Sequence, residues 1–315
     1  MTIVDAHHHL WDLSVRDQPW LADPELAPLR RNFTLGDLEP IADAEGVTST
    51  VLIQTVNDAA ETPEMLALAA SSYLVAGVVG WIDLAAADAA DAISALGGLP
   101  GGRFLAGIRH PVLVEPDPQW LARPAVLRGL AAVAAMGLAY DLVVTPRQLP
   151  GAVSAAAALP GLTFVLDHLG NPDLVSPVDE RWASAVRDLA ALPNTVCKLS
   201  GILGEPPPSA GGGDGHRGNR GDGDGSNSGS GNGRADDPAA SVAHMRPYYQ
   251  IVLDGFGPDR LMYGSDWPVS TLGAPYARVI SAARLLTADL SAAQRAAIFG
   301  GTARRIYGLN DLAGA

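Results

Sequence analysis

The stretch His7-His8-His9-Leu10-Trp11, inside MTIVDAHHHLWD (residues 1–12), decides the fold. Thr2-Ile3-Val4 before it and Leu10-Trp11 after it read as a short strand running into a loop. In a doubly wound sheet, that place after the first strand usually holds a glycine-rich phosphate loop. Here it holds imidazoles. Successive side chains on a strand point to opposite faces. Plain alternation therefore puts His7 and His9 on one face with Asp5, and His8 on the other with Val4 and Ala6. Two imidazoles at i and i+2 form a ready chelate or a paired polar wall.

Working outward, short β-branched runs alternate with Ala/Leu-rich helical stretches. Eight runs read as strands: residues 2–9, 48–56, 75–83, 104–112, 138–145, 162–170, 194–201 and 260–266. Helix starts carry recognisable chemistry. Thr62-Pro63-Glu64 and Thr145-Pro146 each place a cap before a proline, and Thr34 with Asp37 resembles a capping box. Gly46, Gly137 and Gly161 precede the next strands as helix stops. Eight strand–helix units predict a (β/α)8 barrel, with its site at the C-terminal ends of the strands.

The polar residues at those ends are His7 and His9, Gln54, Asp83, Arg109 and His110, Asp141, Asp167 and His168, Lys198 and Ser200, and Ser265 and Asp266. Trp11, Trp81 and Trp267 lie beside them as packing residues or stacking walls.

The 315 residues carry a net charge of −13 and 48% hydrophobic residues, which provides for a large core and argues against nucleic acid or an anionic membrane surface as partner. Cys197 is the only cysteine, excludes an internal disulfide, and sits in an apolar run as a packed thiol. The apolar run at residues 74–87 is broken by Asp83 short of a membrane span. These features predict a soluble cytoplasmic protein. Residues 205–240 are nearly devoid of large apolar side chains and rich in Gly, Ser, Asn and Asp, so they predict a disordered loop inserted in a single domain spanning residues 1–315.

Taken together, DAHHHLWD (5–12), VLIQTV (51–56), VVGWIDL (78–84), GIRHPV (107–112), LDHLGNP (166–172), CKLSGI (197–202), LMYGSDWPVS (261–270) and GGTARRIYGL (300–309) resemble the amidohydrolase-related branch of the amidohydrolase superfamily. More narrowly, they resemble its sugar-lactone and 2-pyrone-4,6-dicarboxylate lactonase group. The resemblance spans the chain except the glycine-rich segment. It implies hydrolysis of a small-molecule lactone by direct water attack. In that reading Asp266 is the general base and His168 orients the reactants and helps protonate the departing ring oxygen. Arg109, Gln54, Trp81, Asp141 and Trp267 face the substrate.

The resemblance also implies a zinc or manganese site at His7, His9 and Asp266, with His168 as a further ligand. The fifth strand, GLAYDLVVT, lacks the histidine that many relatives place there. A metal centre and a metal-free centre with imidazole donors therefore both stay open. A metal-dependent decarboxylase and a catalytically silent binding barrel are the alternatives. A serine hydrolase is disfavoured, because GSDWP lacks the G-x-S-x-G elbow. The sequence leaves the lactone and the oligomeric state open.

Loop-closure entropy grows only with the logarithm of loop length. Replacing residues 206–240 by a few glycines is therefore expected to change unfolding stability by about 1–2 kcal/mol at most. Chemical denaturation of the parent and the shortened chain checks this, and a lost cooperative transition would contradict it.

Overall fold

The structure, a computed structural model, describes residues 2–174, 177–203 and 242–309. The expected insertion at 205–240 lies outside the described residues. Among those described, eight parallel strands pair in chain order: β1 Ile3–His8, β2 Val47–Ile53, β3 Val75–Gly80, β4 Leu105–His110, β5 Ala139–Leu142, β6 Phe164–Leu166, β7 Thr195–Leu199 and β8 Leu261–Tyr263. Seven fall inside the runs expected from sequence, and β2 begins one residue earlier, at Val47. The ring closes just beyond β8, where Asp266 N–H donates to His7 O at 2.8 Å and His9 N–H donates to Trp267 O at 2.7 Å. Helices α1 Leu35–Ala44, α2 Glu61–Ser71, α3 Ala89–Gly97, α4 Pro124–Ala135, α5 Leu149–Ala158, α6 Glu180–Ala190 and α7 Arg246–Phe256 link successive strands. α8 Tyr276–Leu286, α9 Ala292–Ala296 and α10 Thr302–Tyr307 follow β8.

The strand period of two sorts the apolar residues into two layers. Leu52, Val78, Ile108, Tyr140, Phe164 and Leu199 face the helices. Val51, Ile53, Val79, Ala106, Ala139, Val165 and Met262 fill the barrel interior with Val4 and Ala6. Ala303, Tyr307 and Leu309 join this inner cluster from the C-terminal segment and plug the barrel at the end opposite the mouth. The plug explains a glycine: a Cβ on Gly77 would sit 2.8 Å from Leu309 Cδ2.

Two local expectations are corrected. The pairing of β1 with β2 shifts register between Asp5 and His8, so alternation breaks there. Val4 and Ala6 are inside the barrel, while Asp5 turns away and accepts from the Tyr276 hydroxyl of α8 at 3.0 Å. His8 does not follow Val4 and Ala6 inward but pairs with the Thr50 hydroxyl at 2.9 Å. The second correction concerns α2, which begins at Glu61, so Thr62 is inside the helix rather than capping it. Its hydroxyl instead receives the Trp81 N–H at 2.9 Å and ties α2 to the end of β3. The capping pair at Thr34/Asp37 forms as expected, and Thr145 caps the turn at Pro146 as expected, its N–H donating to Gln148 Oε1 at 2.9 Å.

Trp182 of α6 is fully buried, and its indole N–H donates to Leu169 O at 2.9 Å, clamping the turn that carries His168. Trp182→Ala removes a large buried ring and that hydrogen bond, and is expected to destabilise the fold by about 3–5 kcal/mol. Equilibrium denaturation checks it.

Candidate active site

At the mouth, β1 presents His7 and His9. Their Nε2 atoms lie 3.1 Å apart, and Asp266 Oδ1 stands 3.6 Å from each and 3.9 Å from His168 Nε2. Asp266 and His168 both adopt left-handed backbone, with φ of 58° and 50°. Such conformations are strained for non-glycine residues and persist only where surroundings enforce them. Here the Asp266 N–H is held by His7 O, and Ser200 Oγ accepts the His168 N–H at 3.2 Å while lying 2.9 Å from its Nδ1. Gly201, itself at φ +64°, leaves room for that ring.

Beneath the imidazoles lies a buried charge network. Lys198 Nζ is 2.5 Å from Asp141 Oδ2, 3.0 Å from Asp167 Oδ1 and 3.1 Å from His7 Nδ1. Tyr307, from the plug, puts its hydroxyl 2.8–2.9 Å from both Asp141 oxygens. Arg109 donates to Gln54 Oε1 at 2.9 Å and to Gln54 O at 2.5 Å, and to Asp167 Oδ2 at 3.3 Å. Asp141, Asp167 and Lys198 are wholly buried.

These placements sort the expected site residues. His7, His9, His168 and Asp266 converge, with Arg109 at their edge. Asp141 was expected to face substrate but is sealed below, its oxygens engaged by Lys198 and Tyr307. Gln54 is equally enclosed and holds Arg109, whose fork is largely occupied by Gln54 and Asp167. Trp267 is 3% exposed and packs edge-on against Phe33, so it offers no stacking face. Trp11 is likewise buried, against Phe33 and Trp20. Trp81 keeps partial exposure and donates to His110 Nδ1 at 3.1 Å. Asp83 is exposed and caps a turn by accepting the Ala85 N–H.

Sequence reasoning missed the depth of Lys198 and the reach of Tyr307. Alternation with the outward-facing Cys197 and Leu199 marks Lys198 as inward. Tyr307 arrives from the C-terminal segment and has no such local signal.

Burial sets the protonation states. It lowers His9 to about 3, assisted by the Arg109 charge, and with Lys198 it lowers His7 well below its ordinary value of 6.5. Both imidazoles are therefore neutral at ordinary pH. Burial raises Asp266 above the usual carboxylate range, opposed by His168 and Arg109. Asp141 is raised by burial to about 6. Burial would raise Asp167 too, but Lys198, His7 and His168 together outweigh that and hold it well below the usual range.

The donor set fits a metal. Ligand atoms around a tetrahedral ion with Zn–N bonds near 2.0–2.1 Å lie roughly 3.3–3.4 Å apart. The 3.1–3.6 Å spacings among His7, His9 and Asp266 bracket that value. These three are neutral nitrogens and a carboxylate, the types zinc takes, and three protein ligands leave a position open.

Residues 4–309 match the amidohydrolase family over nearly the whole chain. The chain belongs to the amidohydrolase family. Among its relatives, an L-fucono-1,5-lactonase of Burkholderia multivorans is 35% identical, over 99% of this chain and 98% of that protein. One of Burkholderia ambifaria, also an L-fucono-1,5-lactonase, is 33% identical over 99% and 97%. A solved amidohydrolase from Burkholderia multivorans with bound zinc is 33% identical, covers 98% of this chain and 100% of its own, and superposes with a TM-score of 0.83. No helix among this amidohydrolase's described residues is long and apolar enough to cross a membrane.

Gly264 follows β8 immediately below Asp266, and a Cβ there would lie 2.7 Å from His7 Cβ. Gly264→Ala is expected to push His7 out of line. Overpacking of this kind costs about 1–3 kcal/mol in stability, while turnover falls at least tenfold, as a misplacement near 1 Å can cost roughly 100-fold. Melting curves and steady-state rates on one preparation check this.

Proposed function

We propose that this amidohydrolase opens the ring of a small sugar lactone, of the L-fucono-1,5-lactone class, by direct attack of water. The supporting observation is the convergence of Asp266 on three imidazole nitrogens, in a chain whose full-length relatives at 33–35% identity are L-fucono-1,5-lactonases. Asp266 takes a proton from water, and the water oxygen bonds to the ring carbonyl carbon. The carbonyl π electrons move to oxygen as an oxyanion, which the His7 imidazole and Arg109 stabilise by hydrogen bonding. When the oxyanion collapses, the bond from the acyl carbon to the ring oxygen breaks. That oxygen takes the proton from the Asp266 carboxyl, directly or relayed through His168, giving a hydroxy acid and restoring the Asp266 carboxylate. A raised carboxylate suits the base role, because it binds a proton more readily than an exposed one.

Zinc or manganese held by His7, His9 and Asp266, with His168 as an additional ligand, would supply Lewis-acid polarisation of the carbonyl and a more acidic water. Of Trp11, Trp81 and Trp267, Trp81 keeps exposed surface, and we assign it to the substrate wall.

A panel of sugar lactones followed by proton release, with and without chelator, tests the reading. Ring opening of at least one sugar-1,5-lactone is expected, and inertness toward the whole panel would contradict it. Asp266→Asn is expected to keep the fold, since Asn tolerates left-handed backbone, and to lose about 100- to 10,000-fold in rate. The base must be ionised, so kcat/KM is expected to fall as pH drops through a midpoint above 3.8, the ordinary aspartate value. His7 and His9, already neutral there, contribute no limb near pH 6.5. The kcat/KM–pH profile of the parent checks both statements.

A further inference from the structure

The shorter hydrogen bonds around His7 specify which of its nitrogens carries the proton; Arg109 Nη1, also a donor only, lies 3.5 Å from Nε2, at the outer limit of hydrogen bonding. An ammonium only donates, so Lys198 Nζ, 3.1 Å from His7 Nδ1, requires a lone pair on that nitrogen. His9 gives an independent constraint. Its Nδ1 is 2.9 Å from the Ile53 carbonyl, which only accepts, so the His9 proton sits there and its Nε2 bears the lone pair. The two Nε2 atoms, 3.1 Å apart, then share one proton, and it belongs to His7. A third observation agrees. Asp167 Oδ1, the acceptor that the opposite tautomer would use, stands 3.4 Å from His7 Nδ1, farther than Lys198 Nζ, and is itself engaged by that ammonium at 3.0 Å. Lys198 is itself fixed by Asp141, which Tyr307 holds in turn.

We propose that Lys198 is a positioning residue that holds His7 as its Nε2–H tautomer, so that the resting centre shows the mouth an N–H beside the His9 lone pair rather than two lone pairs. Chelation by the pair then requires the His7 proton to move to Nδ1, toward Asp167, and Lys198 to release that nitrogen. Both tautomers are neutral, so the proton count does not change. Lys198 has no exposure at the mouth and acts only through His7. Its importance for turnover rests on the lactonase reading, whereas the tautomer and its effect on metal affinity do not.

The test uses the full chain labelled with 15N-histidine and freed of metal by chelator. His7 is assigned among the seven histidines by the signal lost in His7→Gln. The expected spectrum has an unprotonated Nδ1 and a protonated Nε2 on His7. The paired substitution Lys198→Met with Asp141→Asn removes the ammonium and one carboxylate together and keeps the net charge. It is expected to shift the His7 proton to Nδ1 and to tighten binding of zinc alone, measured by chelator competition, by roughly 10- to 100-fold, the range for partners that orient metal ligands. A protonated Nδ1 in the parent overturns the proposal, and so does unchanged zinc affinity in a folded double variant. If that variant fails to fold, the parent spectrum still decides the tautomer, and Lys198→Gln with Asp141→Asn, which restores a donor, is expected to keep the parent pattern. Neither readout uses a lactone, so failure here leaves the lactonase reading standing, and the converse.

Discussion

The arrangement depends on one buried ammonium. Lys198 has no contact with solvent and is stabilised by Asp141 and Asp167. Taking a charge out of water costs several kcal/mol even after relaxation, so an ammonium at this depth is stable only with partners in good geometry. The partners come from separate strands, Asp141 from β5 and Asp167 from the end of β6, and Tyr307 reaches the same carboxylate from the plug. One charge therefore links the closed end of the barrel to its open end. Removing either carboxylate would strand the other charges in the interior, where an unpaired charge is far costlier than a missing pair.

On that floor stand the groups proposed to meet substrate, and backbone strain aims them. Asp266 and His168 sit where a strand has ended and the chain turns through left-handed conformations. Asp266 thereby points back over His7 and His9 instead of following β8 outward. The pattern accords with an active site whose supporting shell, rather than its reacting groups, supplies the rigidity. Burial tunes the chemistry in the same stroke, keeping the imidazoles neutral and making Asp266 a stronger base than an exposed carboxylate.

Much of this was legible in the sequence, for identifiable reasons. The eight strands show as β-branched runs because parallel strands are buried on both faces. Polar residues ending those runs mark the mouth, which is why the sequence alone groups His7, His9, His168 and Asp266. What could not be read was register and depth. The bulge in β1 reverses Asp5 relative to His7, and no residue type there announces it. Asp141 and Gln54 look like substrate contacts by strand position, yet each is enclosed by a cation one layer below. Thr62 looks like a helix cap but is used by Trp81. Tyr307 lies 166 residues from the aspartate it holds, a pairing that only the closed barrel creates.

The most direct test of the central claim is a single turnover of a sugar-1,5-lactone in 18O-labelled water, with enzyme in excess and the product weighed by mass spectrometry. Direct attack by water held at Asp266 predicts one 18O in the carboxylate of every product molecule from the first turnover. Unlabelled product in that turnover would contradict the account, because the oxygen would then have come from a side chain through a covalent intermediate.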